Sequence, residues 1–278
     1  MKVIKHSGDI VDFNTNKLKL SLMKSGANKN IVDEVIKSIE KEIYEGIPTK
    51  KIYKLAFSLL KKASNSHAAR YNLRAAIELL GPAGFFFEKF ISRLFAVETF
   101  QTKTNMVLQG KCISHEIDVI LKKENSIAMV ECKFHERRES NSDVKVPMYI
   151  LSRFNDLKDK PHQIFSNKDQ ISKCWIVTNN RFTSDAITFA KCSGLHILSW
   201  DYPENNNLSN KIDNNQLYPV TCLTTLTLTE KEKLLILDVI LVKELINNSE
   251  SLEKIGLSNF RIKNVQKEAL ALCKYIQS

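Results

Sequence analysis

Two apolar runs around a polar breaker predict a β-hairpin in the middle of the chain. IDVIL at 117–121 and IAMVECKF at 127–134 are rich in β-branched and apolar residues, and KKENS at 122–126 separates them. Farther on, the short apolar runs CWIVT (174–178) and LHILSW (195–200) flank amphipathic TSDAITFAKC (183–192), which Thr183 or Ser184 would cap. Strand, helix and strand in that order predict a crossover unit in a partly parallel sheet. FFFEKFISRLFA at 85–96 predicts a helix ahead of the hairpin. At the amino end a small hairpin turns at Ser7–Asp9, and a helix with apolar Leu18, Leu22 and Met23 starts at Asn14 or Thr15. Three further helices are expected at 31–46, at 48–64 with Pro48 in its first turn, and at 67–80. Polar residues 201–219 lead to a helical tail, in which Thr229 would cap a long helix over Lys231–Leu245 and Ser258 or Asn259 a last one. The pattern predicts an α/β chain, α+β overall, in three parts: a hairpin-plus-helices domain at 1–80, a mixed-sheet αβα core at 81–205, and a helical module at 206–278. GPAG at 81–84 would hinge the first part to the second.

The central hairpin carries the chemistry. Positions 118 and 131 are symmetric about the Glu124–Asn125 step, so a tight loop sets Asp118 across from Glu131. Directly opposed strand residues have Cβ atoms roughly 4.5–5.5 Å apart, where like charges repel. Two carboxylates so placed in an apolar hairpin call for a proton or a cation between them. Alternation puts Lys133 on the face of Glu131, with Val130 and Cys132 pointing away. Two hard oxygen ligands with an ammonium beside them suit Mg²⁺-assisted phosphodiester cleavage. The same register sets Lys133 opposite Glu116, so a plain cross-strand ion pair is the alternative account of the lysine.

GKCISHEIDVI at 110–120 and MVECKF at 129–134 resemble the core of the Mrr-like branch of the PD-(D/E)xK nucleases. The helix at 85–96 resembles that family's first helix and carries Glu88, whose counterpart helps to hold metal or orient the site. The phrases TNNRFT (178–183) and LSWDYP (198–203) extend the resemblance over residues 81–205. It implies a restriction-endonuclease-like domain cutting DNA with Mg²⁺ or Mn²⁺, in defence against foreign DNA. Asp118 and Glu131 would bind the metal, Lys133 would position or activate water, and Glu88 would support them.

Residues 1–80 resemble an ATP-cone, the nucleotide-sensing module of ribonucleotide reductases and their repressor. The family pattern V-x-K-R-x-G, then F-x-x-x-K, is met by Val3, Lys5, His6, Gly8, Phe13 and Lys17, with Asn14 at a polar position. Thr49, Tyr53, Arg70 and Tyr71 fall at later family positions. The resemblance implies that Val3, Lys5, His6, Asn14 and Lys17 bind ATP or dATP as an effector. His6 stands where arginine is usual and Ser7 where an acidic residue is, which alters the phosphate contacts. No GxxxxGK[ST] phosphate loop occurs.

Charge agrees with a polyanionic partner: the formal net charge is +10, and the sequence pI is about 9.2. Basic residues in HERRESNSDVKV (135–146) and LSRFNDLKDK (151–160) would contact DNA phosphates or simply face solvent. Six cysteines without a CxxC pair argue against a zinc site or a disulfide framework and for a reducing, cytoplasmic setting. Cys132 reads as a small apolar residue, and His67 and His135 as surface residues. An apolar signal segment and a membrane-length apolar run are both lacking. The IGLS turn at 255–258 resembles a helix–hairpin–helix, against which stands a plain packing or dimerisation module. The expectation is a nucleotide-regulated, metal-dependent DNA endonuclease acting as a homo-oligomer. The alternative is a catalytically silent, nucleotide-responsive DNA-binding or scaffold protein.

Overall fold

The structure is a computed structural model that describes residues 1–5, 7–81, 84–138 and 140–274. In chain order its elements begin with β1 (Lys2–Ile4), β2 (Ile10–Asp12), α1 (Thr15–Lys24), α2 (Lys29–Glu42), β3 (Ile47–Pro48), α3 (Thr49–Ala63), α4 (Asn65–Tyr71) and α5 (Leu73–Glu78). The middle contributes α6 (Phe85–Val97), β4 (Gln101–Gln109), β5 (Ser114–Lys123), β6 (Ser126–Lys133), β7 (Asn141–Ser142) and α7 (Lys145–Leu157). Then come β8 (Pro161–His162), β9 (Asp169–Thr178), β10 (Arg181–Phe182), α8 (Ser184–Cys192), β11 (His196–Leu198) and α9 (Leu208–Asn215). The tail holds α10 (Leu228–Ile236), α11 (Glu250–Lys254) and α12 (Asn259–Cys273). The chain divides into two compact units, one made of Met1–Ala76 together with Tyr218 onward, the other of Ile77–Leu217.

The Ile77–Leu217 unit is built on a mixed sheet in the order β11-β9-β6-β5-β4, with β8 also paired to β9. The β4–β5–β6 meander is antiparallel, whereas β9 joins β6, and β11 joins β9, in parallel. Alternation along β9 sets the two faces. Cys174 and Ile176 pack in a core with Ile150 and Leu157 of α7 and Ala186 and Ala190 of α8. Trp175 points the other way and meets Phe95 of α6 edge-on at 5.5 Å. The sheet is thus a middle layer between α6 and the α7–α8 pair, as the sequence pattern predicts. Thr183 caps α8, accepting from the Ala186 amide at 3.3 Å. β4 escapes the apolar pattern because its residues alternate between exposed and half-buried, with only Leu108 fully inside.

In the other unit β1 pairs antiparallel with β2 and parallel with β3, and α1–α4 close over a core that contains Val3, Leu22, Val35, Ile39, Ile52 and Leu60. Asn14 caps α1 through a bond from the Lys17 amide at 3.0 Å. The helix expected at 67–80 breaks at Asn72, whose side chain accepts from the Tyr53 hydroxyl at 2.6 Å. The tail belongs to this same unit: the Arg70 guanidinium donates to Leu272 O at 2.6 Å, and the Thr221 hydroxyl to Ala76 O at 2.7 Å. The expected long helix over Lys231–Leu245 is corrected to a shorter one. It starts at Thr227, not Thr229, through a reciprocal capping box with Glu230. It stops at Ile236, and Asp238 turns the chain with φ 61°. The cause lies in Val239, Ile240, Leu241 and Val242, four consecutive buried residues that one helical stripe cannot hide together.

Candidate active site

The β5–β6 ladder runs from Lys123↔Ser126 to Val119↔Val130, and one further step of that frame sets Asp118 across from Glu131. There the two strands part. β6 continues along β9, with Glu131↔Ile176, Cys132↔Val177 and Lys133↔Thr178 in register. The Cys132 amide, left without a β5 carbonyl, donates to Asp118 Oδ2 at 2.6 Å. Glu88 enters from the first turn of α6, whose N-cap Gly84 has φ 79°. A Cβ on Gly84 would lie 3.7 Å from Glu88 Oε1 and 3.5 Å from Phe134 Cβ, so the backbone there runs close beside the carboxylate.

The three carboxyl groups share one field. Burial, and then the charges of Asp118 and Glu116, push Glu88 up to about 7. Burial raises Asp118 against the pull of the Cys132 amide and Arg153. Glu131 is likewise raised, by burial and then by Asp118, with Arg153 opposing. Burial, and then the charges of Asp118, Glu88 and Glu131, raises the Cys132 thiol well above its ordinary value. The sequence-predicted residues Glu88, Asp118, Glu131 and Lys133 are therefore brought to one end of the sheet. Lys133 is exposed, and among the described residues no ion pair joins it to Glu116, so the cross-strand alternative is not realised.

The donor set suits a hard divalent cation. Among the described residues no three His, Cys, Asp or Glu side chains converge as a closed metal cage. Mg²⁺ asks for less, since it typically takes one or two carboxylates and completes its shell with water and substrate phosphates. Asp118 and Glu131 meet that requirement.

Behind Lys133, three buried residues at the end of β9 fix the backbone. The Thr178 hydroxyl donates to Lys133 O at 2.7 Å, and the Asn179 amide group exchanges two 2.8 Å bonds with the main chain of His135. Asn180 Nδ2 holds Arg137 O and Arg138 O at 3.0 Å. His135 is consequently half-buried, its Nε2 2.9 Å from Ser142 Oγ, and not the surface residue its sequence context predicts. His67 is half-buried too.

Two other residues of the site were not legible as such. Arg153 lies in the stretch read as solvent- or phosphate-facing, but its guanidinium donates inward to Glu131 Oε2 and to Glu116 O. Asp156, three residues on, accepts from the amides of Cys112 at 2.8 Å and Ile113 at 3.2 Å, and its Oδ2 lies 2.7 Å from His115 Nε2. These bonds hold its carboxyl far below the usual range, the His115 contact contributing most. His115 is 7% exposed and engaged here. Gly110 is required beside this knot, because a Cβ would stand 2.1 Å from Asp156 Oδ2. Asp156→Ala is expected to speed hydrogen exchange of the Cys112 and Ile113 amides by roughly tenfold, the loss of a charge-assisted bond. Unchanged exchange in that variant would refute the role of Asp156 as a clamp on the loop.

In the other unit, Val3 is buried in the core between β2 and β3, while Lys5 and Lys17 are exposed. The Lys17 main chain lies at the start of α1, where Asn14 spends its side chain on the cap. His6 lies outside the described residues. Tyr53 stacks on Tyr71 with ring centres 4.9 Å apart.

Comparison with known proteins finds three family matches along the chain. A family model described as ATP cone domain matches residues 1–76, one described as restriction endonuclease, of the Mrr type, matches 82–204, and one described as AF1548-like, C-terminal, matches 218–273. An uncharacterized protein of Archaeoglobus fulgidus is 31% identical over 183 residues, covering 64% of this chain and 97% of the relative. The crystal structure of AF1548, a protein of unknown function, superposes with a TM-score of 0.57 at 29% identity, over 68% of this chain and 97% of that one. The MspJI restriction endonuclease in complex with a 27-mer oligonucleotide shows a TM-score of 0.31 at 11% identity, over 48% of this chain and 29% of that one. Among the described residues no helix is long and apolar enough to cross a membrane.

Proposed function

The chain belongs to the same family as the uncharacterized Archaeoglobus fulgidus protein, and from its combination of an ATP cone with a restriction endonuclease domain we propose that it is a metal-dependent DNA endonuclease governed by a nucleotide. The observation that carries this reading is the meeting of Asp118 and Glu131 across the β5–β6 frame, Asp118 raised by burial and then Glu116, Glu131 by burial and then Asp118, with the exposed ammonium of Lys133 two residues on from Glu131 at the end of β6. A divalent cation would neutralise so crowded a carboxylate group. When bound, Mg²⁺ or Mn²⁺ would supply positive charge against the phosphoryl oxygen and acidify water. Asp118 and Glu131 would hold that cation. Lys133 would orient the attacking water and steady the charge growing on phosphorus, with its backbone fixed by Thr178. Glu88, pushed up to about 7 by burial and then by Asp118 and Glu116, would in its protonated form donate a hydrogen bond to the neighbouring carboxylates or to water.

DNA is the partner that the restriction endonuclease domain and the net charge of +10 favour. ATP or dATP would bind the cone through Lys5, Lys17, Asn14 and His6 beside Val3, and would act as an effector, not a fuel. Such control requires unequal nucleotide affinities in two states of the protein.

The reading is tested by incubating plasmid DNA with the full chain and Mg²⁺ or Mn²⁺, with and without ATP and with a chelator. Cutting is expected only with metal, and millimolar ATP is expected to change its rate. Lys133→Ala should lower the rate by roughly 10²–10³-fold, the usual loss for one positioned charge-stabilising group. Absence of cutting on unmodified and methylated plasmids alike would favour the silent, DNA-binding alternative.

A further inference from the structure

Arg153 is a strong cation already paired with one of the carboxylates, and nothing in a hydrolytic site of this kind requires it to be there. Its fork spans two strands, one arm on the Glu131 carboxylate of β6 and the other on the Glu116 carbonyl of β5. The pair is enclosed, with the Arg153 side chain 11% and the Glu131 side chain 18% exposed. The α7 backbone that carries Arg153 cannot slide away, because Asp156 ties it to the amides of Cys112 and Ile113 and to His115. The guanidinium alone has somewhere to go. Its carbon lies 5.8 Å from the centre of the Tyr149 ring, one turn back on the same helix, and Tyr149 is 63% exposed. An aromatic face of that kind is a resting place for a displaced guanidinium.

We propose that Arg153 is an internal counter-ion that occupies Glu131 in place of the divalent cation and swings off it toward Tyr149 when the cation binds, so that it sets the metal affinity of the site. The inference rests on the nuclease reading above. Arg153 acts through Glu131 and is a positioning residue. Two cations competing for one carboxylate are linked: each weakens the other by the same factor. Arg153 therefore keeps the carboxylates assembled while the site lacks a cation and raises the concentration at which metal loads. Burial of Glu131 near Asp118 makes that neutralisation necessary, since removing one partner leaves a buried charge uncompensated.

The test is calorimetric titration of Mn²⁺ into the full chain as wild type, R153Q and R153K, alongside melting curves without metal. R153Q is expected to bind Mn²⁺ more tightly by roughly tenfold, toward the lower end of ordinary coupling factors, and to melt lower than wild type without metal. R153K keeps the charge but not the fork, and should return both quantities toward wild type. Equal or weaker Mn²⁺ binding by R153Q, with R153K folded, would overturn the counter-ion role and make Arg153 an ordinary brace for Glu131. If R153Q binds while the wild type does not, the counter-ion is confirmed in its strongest form. If neither binds, the metal reading of the site and the counter-ion fall together, whereas normal wild-type binding with an indifferent R153Q sinks the counter-ion alone.

Discussion

Asp118→Asn is expected to remove metal-dependent cleavage, by roughly 10³-fold or more, and at the same time to make the metal-free protein more stable at pH 8. The first effect follows from losing one of the two proposed cation ligands, several kcal/mol of charge stabilisation. The second follows from the crowding itself. Asp118 is among the charges that raise Glu131 and Glu88, and an amide in its place can still accept from the Cys132 amide. A carboxyl whose folded pKa lies above its unfolded value binds its proton more tightly in the native state. Its stabilisation is full below the unfolded value, near 4.5, and is lost as pH rises through the folded one, about 7 for Glu88. Three histidines, His67, His135 and His196, are lowered by burial and push stability the opposite way near pH 6. The informative quantity is therefore the difference between variant and wild type, in which the histidines cancel. Melting temperatures at pH 6 and pH 8, with and without Mn²⁺, should show the variant gaining roughly 2–4 °C at the higher pH and losing the response to metal. A variant that melts and cuts like the wild type at both values would remove Asp118 from the site.

Glu268→Ala is expected to destabilise the unit formed by the two chain ends by about 3 kcal/mol, the combined loss of charge-assisted bonds and of satisfied buried donors. Glu268 sits on α12 and is 4% exposed. Its Oε1 accepts from the Thr224 amide and hydroxyl, both at 2.8 Å, and its Oε2 from the Thr225 amide at 2.9 Å and hydroxyl at 2.6 Å. One carboxylate thus ends four donors of the Thr224–Thr225 loop. Alanine would remove the acceptor of all four, and the melting temperature should fall by roughly 10 °C. Glu268→Gln keeps an acceptor but turns two donors toward the Thr225 side, so it should fall between the two. A melting temperature unchanged in the alanine variant would show that water replaces the carboxylate.

The hairpin was legible because its information is local. A two-residue turn at Glu124–Asn125 and two apolar strands set the frame that brings Asp118 to Glu131, and Glu124 adopts φ 54° in that turn. Glu88 needed a family resemblance, since it lies 30 residues from Asp118 in sequence and joins it only through the packing of α6. Arg153 and Asp156 were illegible for another reason. Both sit on an amphipathic helix amid basic and polar residues, and which of these turn inward depends on how α7 lies on the sheet. The same limit applies to the tail. Ile240 and Val242 look like helix residues in a local window, and only their complete burial shows that they pass through the interior in extended and 3₁₀ form.

The unit made from Met1–Ala76 and Tyr218 onward has a consequence for the order in which the protein is made. Arg70 meets the carbonyl of Leu272, 202 positions later in the chain. At ordinary rates of synthesis that partner emerges roughly 10–40 s after Arg70 does. Residues 82–204, which match the restriction endonuclease family, are all translated within that interval, so they can fold on the ribosome before the unit of Met1–Ala76 and Tyr218 onward is complete. Vectorial synthesis would then deliver the central unit ahead of the discontinuous one, and a ribosome that stalls in the tail would leave the latter without its second segment.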